Sequence, residues 1–180
     1  MCKYQVNGGS CRYIFPVEPE QATSEFRVEK TRIDALVTLS SGETTPGYFF
    51  VAQASARYPG PERVGELLNA ETGFFPFETQ GPRGSRTVLY NRKHVVMVAL
   101  ADNEASRDPG YDVATKRFVS VLLSNGRRVT GSVRVYRPEG RDRLSDWARH
   151  ADAFRYVETV EMTLLVNIAH VIEVSEASEP

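Results

Sequence analysis

Four segments in the first half of this chain return, in the same order, in its second half. The pairs are LSSGETTPGYFF at Leu39 and LSNGRRVTGSVRV at Leu123, ERVGELLN at Glu62 and DRLSDWAR at Asp142, GFFPFET at Gly73 and AFRYVET at Ala153, and TVLYNRKHVVMV at Thr87 and TLLVNIAHVIEV at Thr163. The offset between the copies changes only between segments, which places the length differences in loops. The repeat therefore predicts two copies of one small fold, related by an internal duplication.

The length and composition fit two small globular modules. The chain has 180 residues, a formal net charge of −1, 41% hydrophobic residues and 25% charged residues, which is ordinary for a globular protein. We divide it into a leader (1–25), a first copy (26–101), a linker (102–110), a second copy (111–175) and a tail (176–180). Modules of this size have marginal cores, so we expect the copies to pack together or the protein to oligomerise.

Several classes of protein are excluded by simple patterns. The sequence has no apolar run of the ~18 residues that a membrane span requires, so we expect no membrane contact. It has no apolar signal segment at its start, and we expect a cytoplasmic protein. Cys2 and Cys11 both lie in the leader, which argues against a disulfide framework, and their spacing argues against a metal site. No cofactor is indicated.

Each copy begins with two predicted strands joined by a tight turn. The turn falls at Gly42 in the first copy and at Asn125-Gly126 in the second, where Asn and Gly both tolerate positive φ. A glycine inside the second strand, Gly47 or Gly131, predicts a bend, a bulge or a close backbone approach. We expect Gly42 and Gly126, and likewise Gly47 and Gly131, to be structurally equivalent.

The rest of each copy predicts a short helix and three more strands. The helix carries apolar residues at helical spacing, with the single tryptophan, Trp147, on the apolar face. The third strand carries aromatic residues that we assign to the core: Phe74, Phe75, Phe77, Phe154 and Tyr156. The last two strands meet at Asn91 or Asn167, where asparagine enters the left-handed region at low cost. Short strands at this spacing, curved by a glycine, predict a small barrel.

The second copy carries the pattern of a known family. VSVLLSNGRRVTGSVRVY (Val119–Tyr136) and LLVNIAHVIEV (Leu164–Val174) resemble the first two and the last two strands of the Sm-like family, which includes the LSm proteins and bacterial Hfq. The first copy resembles the family more loosely. The resemblance implies a mainly β fold of two tandem Sm/SH3-like small barrels, RNA or nucleotide binding, and assembly by pairing the fourth strand of one barrel with the fifth of the next. The helix departs from the family, whose helix precedes the first strand.

The candidate binding residues are cations. Hfq-like proteins carry a basic pair in the turn between their last two strands, and the resemblance places Arg92 and Lys93 there. Between Arg127 and Arg149, seven arginines stand against three acidic residues. We predict that an anion or RNA would bind at Arg92, Lys93, Arg127, Arg128, Arg134, Arg137 and Arg141, because turn-borne cations on a rigid barrel converge while staying exposed.

Nothing in the sequence dictates a reaction, so we expect no enzyme and no catalytic residues. His94 and His170 start the last strand in equivalent positions, which favours a repeated structural hydrogen bond over catalysis. The preferred hypothesis is a non-catalytic interaction or assembly module whose partner is a protein, either a second copy or another chain. The alternative is an RNA- or nucleotide-binding protein. Near-neutral charge, with the basic turn present in only one copy, favours the first.

Overall fold

A computed structural model describes residues 29–70, 73–81, 84–136 and 143–179 of the chain. The strands are β1 (Lys30–Leu39), β2 (Thr44–Ala52), β3 (Phe74–Gly81), β4 (Gly84–Asn91), β5 (Val95–Leu100), β6 (Thr115–Leu123), β7 (Arg128–Val135), β8 (Phe154–Glu158), β9 (Thr163–Asn167) and β10 (Val171–Glu176). The helices are α1 (Val64–Ala70) and α2 (Leu144–Ala148). The predicted leader, with Cys2 and Cys11, lies outside the described residues, as do Arg137 and Arg141.

The ten strands form one open antiparallel sheet in the order β10-β6-β7-β8-β9-β5-β1-β2-β3-β4. The first half contributes β1–β5 and the second half β6–β10, and each half has the same internal strand order. The prediction of a mainly β protein is therefore confirmed, and the repeated strand order agrees with the predicted duplication. The prediction of two separate barrels is corrected, because the described residues form a single continuous sheet that contains no closed barrel. The halves join through β5 and β9, whose main-chain groups pair with each other.

Two hydrophobic clusters form the core, one for each half, and β5 belongs to both. Val95, Val98 and Leu100 of β5 lie in the first cluster, while Val96, Met97 and Ala99 of the same strand complete the second. Phe154 and Leu165 of the second half are buried in the cluster of the first half. The two cores therefore interlock across the β5–β9 pair, which buries β5 on both faces.

The tight turns follow the predicted positions with a different geometry. Gly42 and Gly126 have φ of 88° and 81°, and no described non-glycine residue has positive φ. Asn125 therefore does not enter the left-handed region, and only the glycine does. In each turn the glycine N–H donates a hydrogen bond of 2.9 Å to the carbonyl oxygen of the leucine that ends the first strand. This is the longer hairpin loop in which a single glycine adopts positive φ.

Gly47 and Gly131 confirm the prediction of a close backbone approach. A Cβ on Gly47 would lie far inside van der Waals contact of the Glu78 carbonyl oxygen and 2.6 Å from Phe77 Cε1. A Cβ on Gly131 would meet the Glu158 carbonyl oxygen in the same way. Each glycine therefore lets the second strand of its half lie close against the third. These strands share few register pairs, two between β2 and β3 and one between β7 and β8.

Asn91 and Asn167 correct a further prediction. Their φ values are −77° and −78°, in the extended region, and not in the left-handed region that we expected. Each asparagine instead caps a single 3₁₀ turn, with its Oδ1 accepting from the main-chain N–H two residues later, at 3.0 Å in the first half and 3.1 Å in the second. The side chain thus replaces a main-chain acceptor at the start of the turn.

Candidate functional site

The junction between β5 and β9 shows how two copies of this fold associate. Four residue pairs are in register: Met97 with Val166, Val98 with Leu165, Ala99 with Leu164, and Leu100 with Thr163. Every residue of β5 and every residue of β9 is buried. Here the fourth strand of the second half pairs with the fifth strand of the first half, and the pairing buries apolar side chains on both faces of the sheet.

Polar side chains form hydrogen bonds across the same junction at the ends of the strands. The buried Asn167 amide donates to the carbonyl oxygens of Arg92, at 3.1 Å, and Val95, at 2.8 Å. His170 Nε2 lies 2.9 Å from the carbonyl oxygen of Lys93. Arg92 and Lys93 belong to the 3₁₀ turn that precedes β5, and Val95 is the first residue of β5. These hydrogen bonds therefore require a fifth strand with its preceding turn, and not merely any strand edge.

The terminal strands of the sheet, β4 and β10, are the equivalents of β9 and β5. The exposed side chains along these edges match residues that are buried at the junction. Leu89 is 66% exposed while its equivalent Leu165 is 0% exposed, and Ile172 is 65% exposed while Val96 is 0% exposed.

Phe74 completes the pattern at the β4 edge. It precedes Phe75 in β3, is paired with Asn91, and is 60% exposed, whereas its equivalent Phe154 is 3% exposed. Our assignment of Phe74 to the core is therefore wrong. Phe154 is buried because the first half covers it, and no described part of the chain covers Phe74 in the same way.

The β4 edge also carries the equivalents of the hydrogen-bonding side chains Asn167 and His170, which are Asn91 and His94. Asn91 has the same capped turn as Asn167. His94 Nδ1 lies 3.5 Å from Ser40 Oγ, and His170 Nδ1 lies 2.7 Å from Ser124 Oγ. This repeated contact is the structural hydrogen bond that we predicted for the two histidines, and in His170 it orients the ring toward the neighbouring half.

The linker clamps the two halves to each other through a buried carboxylate. Glu104 accepts from the main-chain N–H groups of Val64, at 3.0 Å, and Gly65, at 3.3 Å, at the start of α1, and from Tyr156 Oη at 3.2 Å. Burial raises the pKa of Glu104 above its ordinary value, although these hydrogen bonds and the Arg107 guanidinium act in the opposite direction. Burial also raises the pKa of Tyr156.

A cleft of about 520 Å³ lies beside this clamp, between α1 and the second half. On its lining, Arg63 is paired with Glu66 at 2.7 Å and with Asp108, which also accepts from Tyr136 Oη at 3.0 Å. Burial and the Asp108 carboxylate raise the pKa of Tyr136. These charges are compensated within the fold, so the network holds the linker against both halves.

The predicted cations do not form one cluster. Arg92 is buried, and its guanidinium donates to the carbonyl oxygens of Leu68 at 3.2 Å, Leu67 at 3.1 Å and Phe74 at 2.6 Å. It therefore caps the C-terminal end of α1, where a cation is favoured by the helix dipole. Lys93 is its exposed neighbour.

The other described cations lie at opposite ends of the β6–β7 hairpin. Arg127 and Arg128 are exposed at the turn. Arg134 pairs in register with Lys116 at the far end, contacts Glu158 at 3.3 Å and stacks on Tyr111 at 4.0 Å. His170 bridges Ser124 and the Lys93 carbonyl oxygen, and it therefore brings Lys93 toward the turn of Arg127. Arg134 stays apart from them, at the other end of the hairpin.

Sequence reasoning missed two buried groups that hold the fold. Arg155 donates to the carbonyl oxygens of Trp147, His150 and Asp152 and caps α2, as Arg92 caps α1. The two arginines occupy non-equivalent positions of the repeat, so comparison of the copies could not pair them. Glu104 was missed because it lies in the polar linker.

Within the described ranges, no group of three or more His, Cys, Asp or Glu side chains is placed to hold a metal ion. None of the helices in this part of the chain is long and apolar enough to cross a membrane. Comparison of the chain with protein-family models, with curated proteins and with solved structures finds no match.

Proposed function

We propose that this protein is a non-catalytic interaction and assembly module that binds protein strands at its two terminal sheet edges. The observation that carries the proposal is the contrast between equivalent residues: apolar side chains buried at the β5–β9 junction are exposed on β4 and β10. An unpaired strand edge with exposed apolar residues is a template for another strand. Each half is proposed to be an Sm-like unit, since the fourth strand of the second half pairs with the fifth strand of the first half.

The test is site-specific photo-cross-linking. We replace Leu89, and separately Ile172, with benzoylphenylalanine, irradiate the protein in native extract and identify the adducts. Val160 is the matched control, because it is 94% exposed in the β8–β9 loop, away from both edges. We expect discrete protein adducts at Leu89 and Ile172 that are absent at Val160. Adducts that are equally abundant at all three positions, or absent from both edges, contradict the proposal.

A second candidate function is RNA or nucleotide binding at the turn edge near the junction. Lys93 and Arg127 are the exposed cations that support it, because His170 brings their two turns together. Binding of a single-stranded RNA is measured by fluorescence anisotropy at two salt concentrations for the parent protein and for Lys93→Ala with Arg127→Ala. RNA binding here predicts weaker affinity and a smaller salt slope in the variant. No binding by the parent protein removes this candidate.

A further inference from the structure

We infer that the partner at each terminal edge is a second copy of this chain, docked head to tail so that β10 of one chain pairs with β4 of the next. This inference rests on the proposed function, and it names the partner. The internal junction is the observed precedent, because β9 and β5 are the repeat equivalents of β4 and β10. One protein therefore already contains the contact that two proteins would form.

The internal junction fixes the register of the contact between chains. Transferring its four pairs through the repeat aligns Glu173 with Tyr90, Val174 with Leu89, Ser175 with Val88, and Glu176 with Thr87. In this register Leu89 takes the position of Leu165, and Ile172 takes the position of Val96, both of which are fully buried at the junction. Leu165 lies in the first hydrophobic cluster and Val96 in the second, so the contact would cover Leu89 on one face of the sheet and Ile172 on the other.

The polar side chains that would form hydrogen bonds across this contact, Asn91 and His94, are also in place. Asn91 would donate to the next chain's carbonyl oxygens at Ile168 and Val171, as Asn167 does to Arg92 and Val95. His94 would reach the carbonyl oxygen of Ala169, as His170 reaches that of Lys93. The acceptors that both side chains require are found in the turn before a fifth strand, so β10 fits this edge and a second β4 does not.

Charge opposes the alternative, head-to-head pairing. Antiparallel pairing of β10 with another β10 would bring two copies of the exposed Glu173 and Glu176 to one strand pair, and like charges on neighbouring strands are destabilising. Head-to-tail pairing places Glu176 opposite Thr87, beside the exposed Arg86 of β4. Head-to-tail pairing therefore keeps the glutamates of two chains apart, which head-to-head pairing does not.

The contact between chains also relaxes one steric requirement of the internal junction. Gly65 of α1 leaves room for the Tyr156 ring, and a Cβ there would lie 2.8 Å from Tyr156 Cζ. In the contact between chains the equivalent positions are Ser145 of α2 and Pro76 of β3. Proline is smaller than the equivalent tyrosine, and serine is larger than the equivalent glycine. These two sequence differences between the copies are therefore compatible with the proposed pairing.

The experiment mixes two variants, each blocked at a different edge. Leu89→Arg blocks β4 and leaves β10 intact, whereas Ile172→Arg blocks β10 and leaves β4 intact. Both positions are exposed, so folding should be preserved, and circular dichroism with thermal unfolding checks this. Sedimentation velocity over a range of concentrations then measures the size of each sample. Val160→Arg serves as the control for adding an exposed arginine.

We expect the parent protein and Val160→Arg to form assemblies that grow or close with concentration, and each edge variant alone to remain at the mass of one chain. An equimolar mixture of the two edge variants should stop at twice that mass, since one competent edge of each kind is present. Association of Ile172→Arg alone would show β4–β4 pairing and overturn the inference. A parent protein that stays monomeric at the highest concentration would also overturn it.

The two proposals fail in distinguishable ways. If the chain remains monomeric while Leu89 and Ile172 cross-link to a different protein, the interaction module stands and the second copy is excluded as its partner. If neither edge cross-links to any protein, the proposed function fails together with the inference.

Discussion

Gly47→Ala tests whether close strand passage at the interior glycine shapes each half of the sheet. β2 and β3 are joined by only two register pairs, Gly47 with Thr79 and Tyr48 with Glu78. An alanine Cβ at position 47 would collide with the Glu78 carbonyl oxygen and would lie 2.6 Å from Phe77 Cε1. The carbonyl belongs to the backbone, so no side-chain rotation relieves the collision, and the two strands must separate.

The expected cost follows from two opposing effects. Overpacking of this kind costs about 1–3 kcal/mol or more, and alanine returns about 0.5–1 kcal/mol relative to glycine inside a strand. Because the obstacle is main chain, we take a cost at and above the upper end of this range, about 3–4 kcal/mol. Subtracting the return from alanine leaves a net loss in free energy of unfolding of about 2–3 kcal/mol. For a protein of this size that corresponds to a fall in Tm of roughly 4–12 °C.

Gly42→Ala is the matched control. Gly42 has a φ of 88° and nothing within 4 Å of a built Cβ, so alanine there costs only the left-handed conformation, about 1–2 kcal/mol. Urea unfolding followed by circular dichroism measures both variants under the same conditions. If Gly47→Ala is no more destabilising than Gly42→Ala, the close approach of β2 to β3 does not constrain the fold and the reasoning is refuted.

Two further predictions concern the junction and the linker. Asn167→Ala should lower the free energy of unfolding by about 2–3 kcal/mol, because the buried amide donates to two carbonyl oxygens across the junction. Asn91→Ala in dilute solution should lose only its cap, about 1 kcal/mol. Equal losses of the two variants by urea titration would contradict the role of Asn167. The raised pKa of Glu104 means that the folded state binds its proton more tightly than the unfolded state, so stability should fall as the pH rises from the ordinary carboxyl value through the folded-state pKa. Glu104→Gln should flatten that part of the stability profile, above the ordinary carboxyl pKa of about 4.3, and an unchanged slope would show that another group titrates.

The repeat in the sequence was sufficient to predict the order of elements in both halves. Segment equivalence located the turns at Gly42 and Gly126 and the close approaches at Gly47 and Gly131, because these features depend on local backbone geometry that residue type reports. Side chains that act at a distance were not predictable in this way. Arg92 looked like an exposed turn cation, yet it is buried as a helix cap, because its environment is set by α1, which lies earlier in the chain.

The joining of the halves into one sheet was not predicted, although the sequence holds a signal for it. Strand pairing is made by main-chain groups, which every residue type supplies alike. The side chains nevertheless differ: β5 reads VVMVAL and is buried throughout, while its equivalent β10 reads VIEVSE and carries two exposed glutamates. A continuous apolar strand is typical of burial on both faces, so comparison of these two strands indicated that only one of them lies inside the sheet.

Under the proposed head-to-tail pairing, this difference between β5 and β10 would let the same contact serve both folding and reversible assembly. The β5–β9 junction lies within one chain, and its residues are free to be wholly apolar because the junction does not have to dissociate. A terminal edge with the same composition would expose a long apolar strand, which favours uncontrolled aggregation. Under the proposed pairing, Glu173 and Glu176 on β10 and Arg86 on β4 give each edge charged side chains while it is alone. In the head-to-tail register the two glutamates take the positions of Met97 and Leu100, which are buried at the internal junction. Covering a charge is costly, so this contact would be weaker than the internal one. On this proposal the sheet contains one permanent copy of the contact and, at its two ends, a polar version of it that would form and open reversibly.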